Sequence, residues 1–174
     1  MNTIHLRPYK EQDRAECLAM FKGNTPRFFS MTELPAFEQF LGSKSKQFFT
    51  VEDKARRVIG CGGVTLDAEK AIAGLCWGMI RNDMHGQGLG SFLLLARMVY
   101  ISQQVPNCLV TNDTNQYACG FYERMGFRVT QVTHHHYALD VHRYDMERQL
   151  DADVCQKAAK ALDVYEATIQ YSLP

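Results

Sequence analysis

The chain has 174 residues and a mass of 19.9 kDa, a length that suits one domain around one hydrophobic core. Apolar residues make up 46% and charged residues 22%, which excludes a disordered chain, a collagen-like repeat and a disulfide-held mini-protein. Lys and Arg number 19 and Asp and Glu number 19, so the formal charge is zero; proteins that grip phosphate backbones are normally basic, and no nucleic-acid partner is expected.

The chain opens with Ile4 to Tyr9, an alternating run that predicts a strand. Glu11 to Phe21 carries Ala15, Leu18, Ala19 and Phe21 at helical spacing, and Gly23-Asn24-Thr25-Pro26 stops it. A second helix is expected over Glu33 to Leu41, with Thr32 as its cap. Gln47 to Val51 and Arg57 to Leu66 read as the two arms of a hairpin, and Ala73 to Arg81 as a further strand. Gly60-Cys61-Gly62-Gly63 lies inside the second arm and reads as a bulge or a close packing contact. The longest charge-free apolar stretch, Ala71 to Ile80, falls well short of the ~20 residues of a membrane span, and no membrane association is expected.

His85 to Ser91 then forms a glycine loop that runs directly into Phe92 to Tyr100, which is apolar nearly all round and predicts a buried helix. Cys108 to Thr111 reads as a strand, Gln116 to Met125 as a short helix ended by Gly126. Phe127 to Thr133 and Tyr137 to Leu150 follow as strands. From Asp151 onward, Val154, Ala158, Ala161, Tyr165 and Ile169 share one side of an expected amphipathic terminal helix. Hairpins combined with two strand–helix–strand crossovers imply an α/β (α+β) fold with one mixed, mostly antiparallel sheet and helices on both faces. The expected division is a domain over 1–150 and a tail over 151–174 that packs on that domain or joins a homodimer.

The cysteines, at 17, 61, 76, 108, 119 and 155, form no Cys-x-x-Cys pair, and most lie in apolar runs. They read as reduced, buried thiols, and with no basic-then-apolar leader at the N-terminus the expected location is cytoplasmic. His134-His135-His136 invites a metal reading. Neighbours on a strand point to opposite faces, so at most two of the three share one, and no third ligand stands nearby; no metal is expected.

The glycine loop is the sharpest chemical feature. Glycines let several backbone N–H groups converge, and the helix that starts there adds its own unpaired N–H groups and dipole. The result is a site for a di-anion such as pyrophosphate. A Walker A loop would need Gly-Lys-Ser/Thr, and a dinucleotide loop would need Gly-x-Gly-x-x-Gly; Gly86, Gly88 and Gly90 alternate and Ser91 takes the third-glycine place, so neither fits.

His85-Gly86-Gln87-Gly88-Leu89-Gly90 resembles the Arg/Gln-x-x-Gly-x-Gly/Ala loop of the GCN5-related N-acetyltransferases (GNAT). Asn115 to Phe127 resembles a second block of that family, Asn-x-x-Ala-x-x-Phe/Leu-Tyr-Glu-x-x-Gly-Phe. The resemblance spans roughly Ile4 to Leu150. It implies two neighbouring strands splayed around the pantetheine arm of acetyl-CoA. Gly78, Met79 and Ile80 would pair with the arm, a backbone N–H there would hold the thioester oxygen, and residues 85–91 (His85, Gly86, Gln87, Gly88, Leu89, Gly90, Ser91) would take the pyrophosphate. Asn115 would hydrogen-bond the arm, and Tyr122 would protonate the departing thiolate, as a phenol that keeps its proton to a pH near ~10 can. The amine would attack the thioester directly, without a cysteine nucleophile. His85 replaces the usual Arg or Gln, which removes a fixed charge from the phosphate site.

Family members often carry a general-base Glu on the strand before the loop. Here no carboxylate lies between Ala71 and Ile80, which leaves water, Glu33, Glu52 or a histidine of 134–136 as proton acceptors. The resemblance also implies that Arg27 to Met31 and His136-Tyr137 lie at the acceptor pocket, with Phe28, Phe29, Met31 and Tyr137 as its lining. These side chains suit a small, partly apolar amine. The expected activity is therefore acetyl transfer from acetyl-CoA to a primary amine of a small molecule. Acetylation of a protein N-terminus or lysine, and acyl-CoA binding without turnover, are the alternatives.

Overall fold

The computed structural model describes residues 3–44 and 47–172. Strands β1 (Ile4–Pro8), β2 (Gln47–Glu52), β3 (Val58–Asp67), β4 (Ile72–Ile80), β5 (Cys108–Asn115), β6 (Arg128–Ala138), β7 (Val141–Leu150) and β8 (Ala167–Ile169) form one eight-stranded sheet in the order β6-β7-β5-β4-β3-β2-β1-β8. Two pairs, β4 with β5 and β1 with β8, are parallel; the others are antiparallel. The mixed, mostly antiparallel sheet is the one the sequence implies.

Helices α1 (Arg14–Gly23) and α2 (Leu34–Gly42) cover one face, where Cys17, Phe21, Phe37 and Leu41 meet Phe48 and Met79. Helices α3 (Leu89–Gln104), α4 (Gln116–Arg124) and α5 (Ala152–Leu162) lie on the other, where Phe92, Leu93, Leu94 and Met98 meet Phe49, Val51 and Leu75. Phe48 and Phe49 go to opposite faces because successive strand side chains alternate. No helix among the described residues is long and apolar enough to cross a membrane.

Several boundaries differ from the sequence reading; the strand expected to end at Thr133 continues to Ala138, so Tyr137 lies on β6 and β7 starts at Val141, and three others have identifiable causes. The second helix begins at Leu34 rather than Glu33, because Ser30 rather than Thr32 supplies the capping oxygen: its side chain accepts from the Thr32 N–H, and Glu33 reaches back to the Ser30 N–H at 2.7 Å, closing a 3₁₀ turn over Met31–Glu33. The strand expected at Cys108 to Thr111 continues to Asn115, pairing with β7 along its whole length. The terminal helix ends at Leu162, and Ala167–Ile169 instead adds a parallel strand beside β1. Tyr165 and Tyr171 then reach α3, donating to the carbonyls of Gly88 (3.2 Å) and Ala96 (2.8 Å).

Candidate active site

A break in the sheet creates the site. β4 pairs with β5 only over Ile72–Gly74 and Leu109–Thr111. Beyond that point β4 stays with β3 up to Ile80, while β5 stays with β7 up to Asn115. The two strands separate, and a cleft of about 650 Å³ opens between them, lined by residues 75–80 on one wall and 112–115 on the other. The cause lies in β3 and β4: Cys61 pairs with Met79 and Gly63 with Cys76, so Gly62 alone faces both Trp77 and Gly78. A two-against-one bulge bends its strand and steepens its twist. Trp77 occupies the left-handed region there, at φ +49°, a conformation that costs a bulky residue of order 1 kcal/mol or more and is held by its packing. Its indole meets Phe37 at 4.9 Å between ring centres.

At one end of the cleft stands the glycine loop. A 3₁₀ turn over Asn82–Met84 leaves β4, and α3 begins at Leu89 with Gly88 as its cap at φ +80°. Gly86 is also left-handed, at φ +77°. His85, Gly86, Gly88, Leu89, Gly90 and Ser91 all line the cleft; Gln87 is exposed and does not. The first-turn N–H groups of a helix have no partner within it, so this end offers converging donors and the positive end of the α3 dipole. His85 is turned away from that role: Nε2 donates to the Ile80 carbonyl at 2.9 Å, and its ring meets Phe28 edge-on at 5.2 Å. It ties the loop to the end of β4.

Tyr122 lies in α4, on the β5 side of the gap, 8% exposed and wedged between Phe121 and Phe127. It lines the cleft, and none of the side-chain hydrogen bonds among the described residues involves its hydroxyl. Asn115 caps α4 by accepting from the Tyr117 N–H at 3.0 Å, and its Nδ2 donates to the carbonyls of Arg27 (3.0 Å) and Phe28 (3.2 Å). Its side chain is thus committed to binding α4 to the 24–30 loop, with none of these donors turned to the cleft.

Side chains furnish the rest of the cleft. Phe28, Phe29, Trp77 and Tyr137 line it, together with the carboxylates of Glu33 and Asp113. Met31, expected with them, is half-exposed and lies outside the lining, its sulfur accepting from the Thr25 hydroxyl at 3.6 Å. Asn24 fixes the loop by donating to the Met20 and Ile80 carbonyls, each at 2.9 Å. Asp113 accepts from the Tyr137 hydroxyl at 2.6 Å. Burial raises the Glu33 carboxyl above the usual carboxylate range, and the nearby Asp113 charge adds to that, against the lowering effect of the Ser30 N–H and His136.

Of the other proton acceptors considered, Glu52 lies away from the cleft, ion-paired with Arg7 at 2.5 Å and Arg56 at 3.2 Å. His134, His135 and His142 cluster on the β6–β7 hairpin, with ring centres 4.8 to 6.3 Å apart, yet no group of metal-ligating side chains occurs among the described residues. All six cysteines are free. Cys76 is the one that lines the cleft beside Gly78, and burial pushes its thiol up to about 11, so it holds its proton at neutral pH.

Among the residues of the cleft without a role in the sequence reading are Asp113, Arg97 and Asn112. Asp113 lay beyond the expected end of its strand. Arg97 and Asn112 are buried polar groups on opposite walls. For Arg97 a signal existed, since it is the lone charge within the apolar run Phe92 to Tyr100.

Residues 44–129 match the family model described as an acetyltransferase (GNAT) domain. No curated protein matches the sequence. Among solved structures, a ribosomal-protein-S18-alanine N-acetyltransferase from Escherichia coli superposes with a TM-score of 0.69 at 15% identity, over 87% of this chain and 95% of that one. A variant of the spermidine N-acetyltransferase SpeG from Vibrio cholerae gives 0.68 at 13% identity, over 89% and 98%. A GNAT-family acetyltransferase from Streptococcus pneumoniae gives 0.64 at 18% identity, over 84% and 98%. At such identities the likeness is one of fold, and the first two of these proteins are named for acceptors as different as a ribosomal protein and a polyamine. The domain match and the shared fold converge on one conclusion: residues 44–129 form a GNAT acetyltransferase domain.

Proposed function

We propose that this acetyltransferase moves an acetyl group from acetyl-CoA to the primary amine of a small molecule held against Phe28, Phe29 and Tyr137. The observation that carries this reading is the single cleft in which the Tyr122 side chain, a glycine-capped helix start and carboxylate and aromatic side chains occur together. Its volume, about 650 Å³, is in the range of small-molecule sites.

Each wall supplies one requirement. Freed from β5, the backbone of Gly78, Met79 and Ile80 supplies ladder groups for the extended pantetheine arm. The N–H groups at the start of α3 receive the pyrophosphate. The Gly78 N–H faces the thioester oxygen. At the acceptor end, Glu33 and Asp113 attract an ammonium group, and aromatic faces favour a cation further. Glu33, with its raised carboxyl, is the group best suited to take the ammonium proton. Glu33 passes that proton on to solvent; the neutral amine forms a C–N bond to the acetyl carbon as the C–S bond breaks, and the nitrogen, now positive, loses its second proton to solvent to give the neutral amide. The electron pair leaves on sulfur, and the Tyr122 hydroxyl delivers its proton there, to be restored from solvent. Water is excluded on the Tyr122 side by Phe121 and Phe127.

Calorimetric titration with acetyl-CoA, followed by an amine panel read through free CoA thiol, tests this reading. Saturable micromolar binding and turnover of a small amine support it. Binding without turnover of any amine, or turnover of peptide N-termini alone, overturns it.

A further inference from the structure

Arg97 is 2% exposed, in the middle of α3, between the fully buried Ala96 and Met98. A guanidinium is a permanent cation with five N–H donors. Among the described residues it meets two acceptors, both carbonyls at the long distance of 3.3 Å: Leu93 of its own helix, from Nε, and Gly63 of β3, from Nη1. No carboxylate among the described residues pairs with it. Burying a cation in this way is costly, because the water it loses is not replaced by an opposite charge. Arginine at such a position without an anion is a group awaiting one.

Its surroundings indicate where that negative charge arises. The guanidinium lies against the bulge, and two glycines make room for it: a Cβ at Gly62 would stand 2.9 Å from Nη1, and one at Gly78 would stand 2.8 Å from Nη2. Either would displace it. Arg97 lines the cleft, and Nη2 makes no hydrogen bond among the described residues. A second polar group supports the same conclusion from the other wall: Asn112, 9% exposed on β5, lines the cleft with its Nδ2 buried and without a partner. Two unpartnered donors facing one gap call for a ligand rich in acceptor oxygens.

We propose that Arg97 is the resident positive charge of the donor site, set to stabilise the negative charge that gathers on the thioester oxygen as the amine attacks. This rests on the reading of the cleft given above, in which the Gly78 N–H faces that oxygen. A cation held against the Gly78 backbone flanks the carbonyl itself. It is fixed before the reaction begins, so no reorganisation is needed as the charge develops. The glycine at 62 is then a requirement of the chemistry, since any side chain there evicts the guanidinium.

The test compares the wild type with Arg97→Met and Arg97→Lys, each checked for folding by circular dichroism and for acetyl-CoA binding by calorimetry. Arg97→Met is expected to bind acetyl-CoA within about threefold of the wild type while kcat falls about 100-fold or more. Arg97→Lys, which restores the charge, is expected to recover at least tenfold of that loss. Near-normal kcat in Arg97→Met overturns the proposal, as does a folded, acetyl-CoA-binding Arg97→Lys no better than Arg97→Met. Preference of the wild type for succinyl-CoA over acetyl-CoA, lost in Arg97→Met, also overturns it, by assigning the cation to a carboxylate on the acyl chain. If Arg97→Met does not fold, the carbonyl stretch of ¹³C-labelled acetyl-CoA bound to the wild type decides: below its value in water supports the proposal, at or above it overturns it. Should the wild type not bind acetyl-CoA, the reading of the cleft fails and this proposal with it; binding and turnover without an Arg97 effect removes this proposal alone.

Discussion

At the proposed donor end of the cleft, β4 and the start of α3 present mainly backbone: the freed edge at 78–80 and the N–H groups of the helix start that Gly88 caps at φ +80°. At the acceptor end, Phe28, Phe29, Glu33, Asp113 and Tyr137 present side chains, delivered by a loop, the edge of β5 and a hairpin far apart in sequence. Backbone donors read a phosphate or an amide and are indifferent to which side chains surround them. Side chains read an individual acceptor. One end can thus stay constant while the other changes, which is consistent with the wide range of acceptors named for proteins of this fold.

Substitutions at the two ends should separate in what they alter. The largest effect is expected at the junction. Tyr122→Phe keeps the ring packed between Phe121 and Phe127 and removes only the proton; kcat should fall about 100- to 1,000-fold with acetyl-CoA binding kept within a few-fold, measured by thiol release and calorimetry. Unchanged kcat would remove the acid role from Tyr122. Next comes Gly88→Ala at the donor end. A methyl group in the left-handed region costs about 1–2 kcal/mol, so acetyl-CoA binding should weaken about tenfold while KM for the amine, measured at saturating acetyl-CoA, stays put.

Among the side chains at the proposed acceptor end, Glu33→Gln should raise KM for the amine several-fold and move the acidic limb of the pH profile to the titration of the amine itself. Burial keeps the wild-type carboxyl protonated to a higher pH than an ordinary Glu. Below that point it cannot take a proton, so kcat/KM should fall with falling pH in the wild type, whereas Glu33→Gln, which must draw on the neutral fraction of the amine, should fall at a higher pH set by the amine itself. The same shift has a stability counterpart. The unfolded carboxyl ionises first, so stability is lost as pH rises from the unfolded value toward the raised folded one. At pH 7 the melting temperature of Glu33→Gln should equal or exceed that of the wild type. The smallest effect is expected from His85→Ala, which removes one hydrogen bond to the Ile80 carbonyl: a loss of about threefold in acetyl-CoA affinity. A loss of fiftyfold would instead place the imidazole on the phosphates.

The glycine loop and the α4 block were legible in the sequence because their parts are local. A loop of alternating glycines ahead of an apolar helix fixes its own conformation within a few residues, and Asn115 to Phe127 carries its cap, its tyrosine and its terminating Gly126 in one short block. Even there, side-chain roles were not legible: nothing local shows that Asn115 spends its amide on the carbonyls of Arg27 and Phe28, or that His85 bends back to β4. At the acceptor end, Glu33 was one of several possible proton acceptors. Its place in the cleft, and the removal of Glu52 to the Arg7 and Arg56 ion pairs, depend on contacts across the fold.

The sequence by itself determined the order of elements, the hydrophobic faces that build two cores on either side of the sheet, and the glycine loop with its helix. These follow from periodicity and turn chemistry, which act over neighbouring residues. Only the tertiary structure decided where β4 parts from β5, because that depends on a bulge opposite Gly62 and on what each strand pairs with beyond Gly74 and Thr111. It also decided that the tail supplies an edge strand beside β1 rather than a longer helix, since an unpaired parallel partner was available there. And it placed Arg97, one charge in an apolar helix, against two glycines from different strands, where the space left by their missing side chains holds a cation at the mouth of the splayed pair.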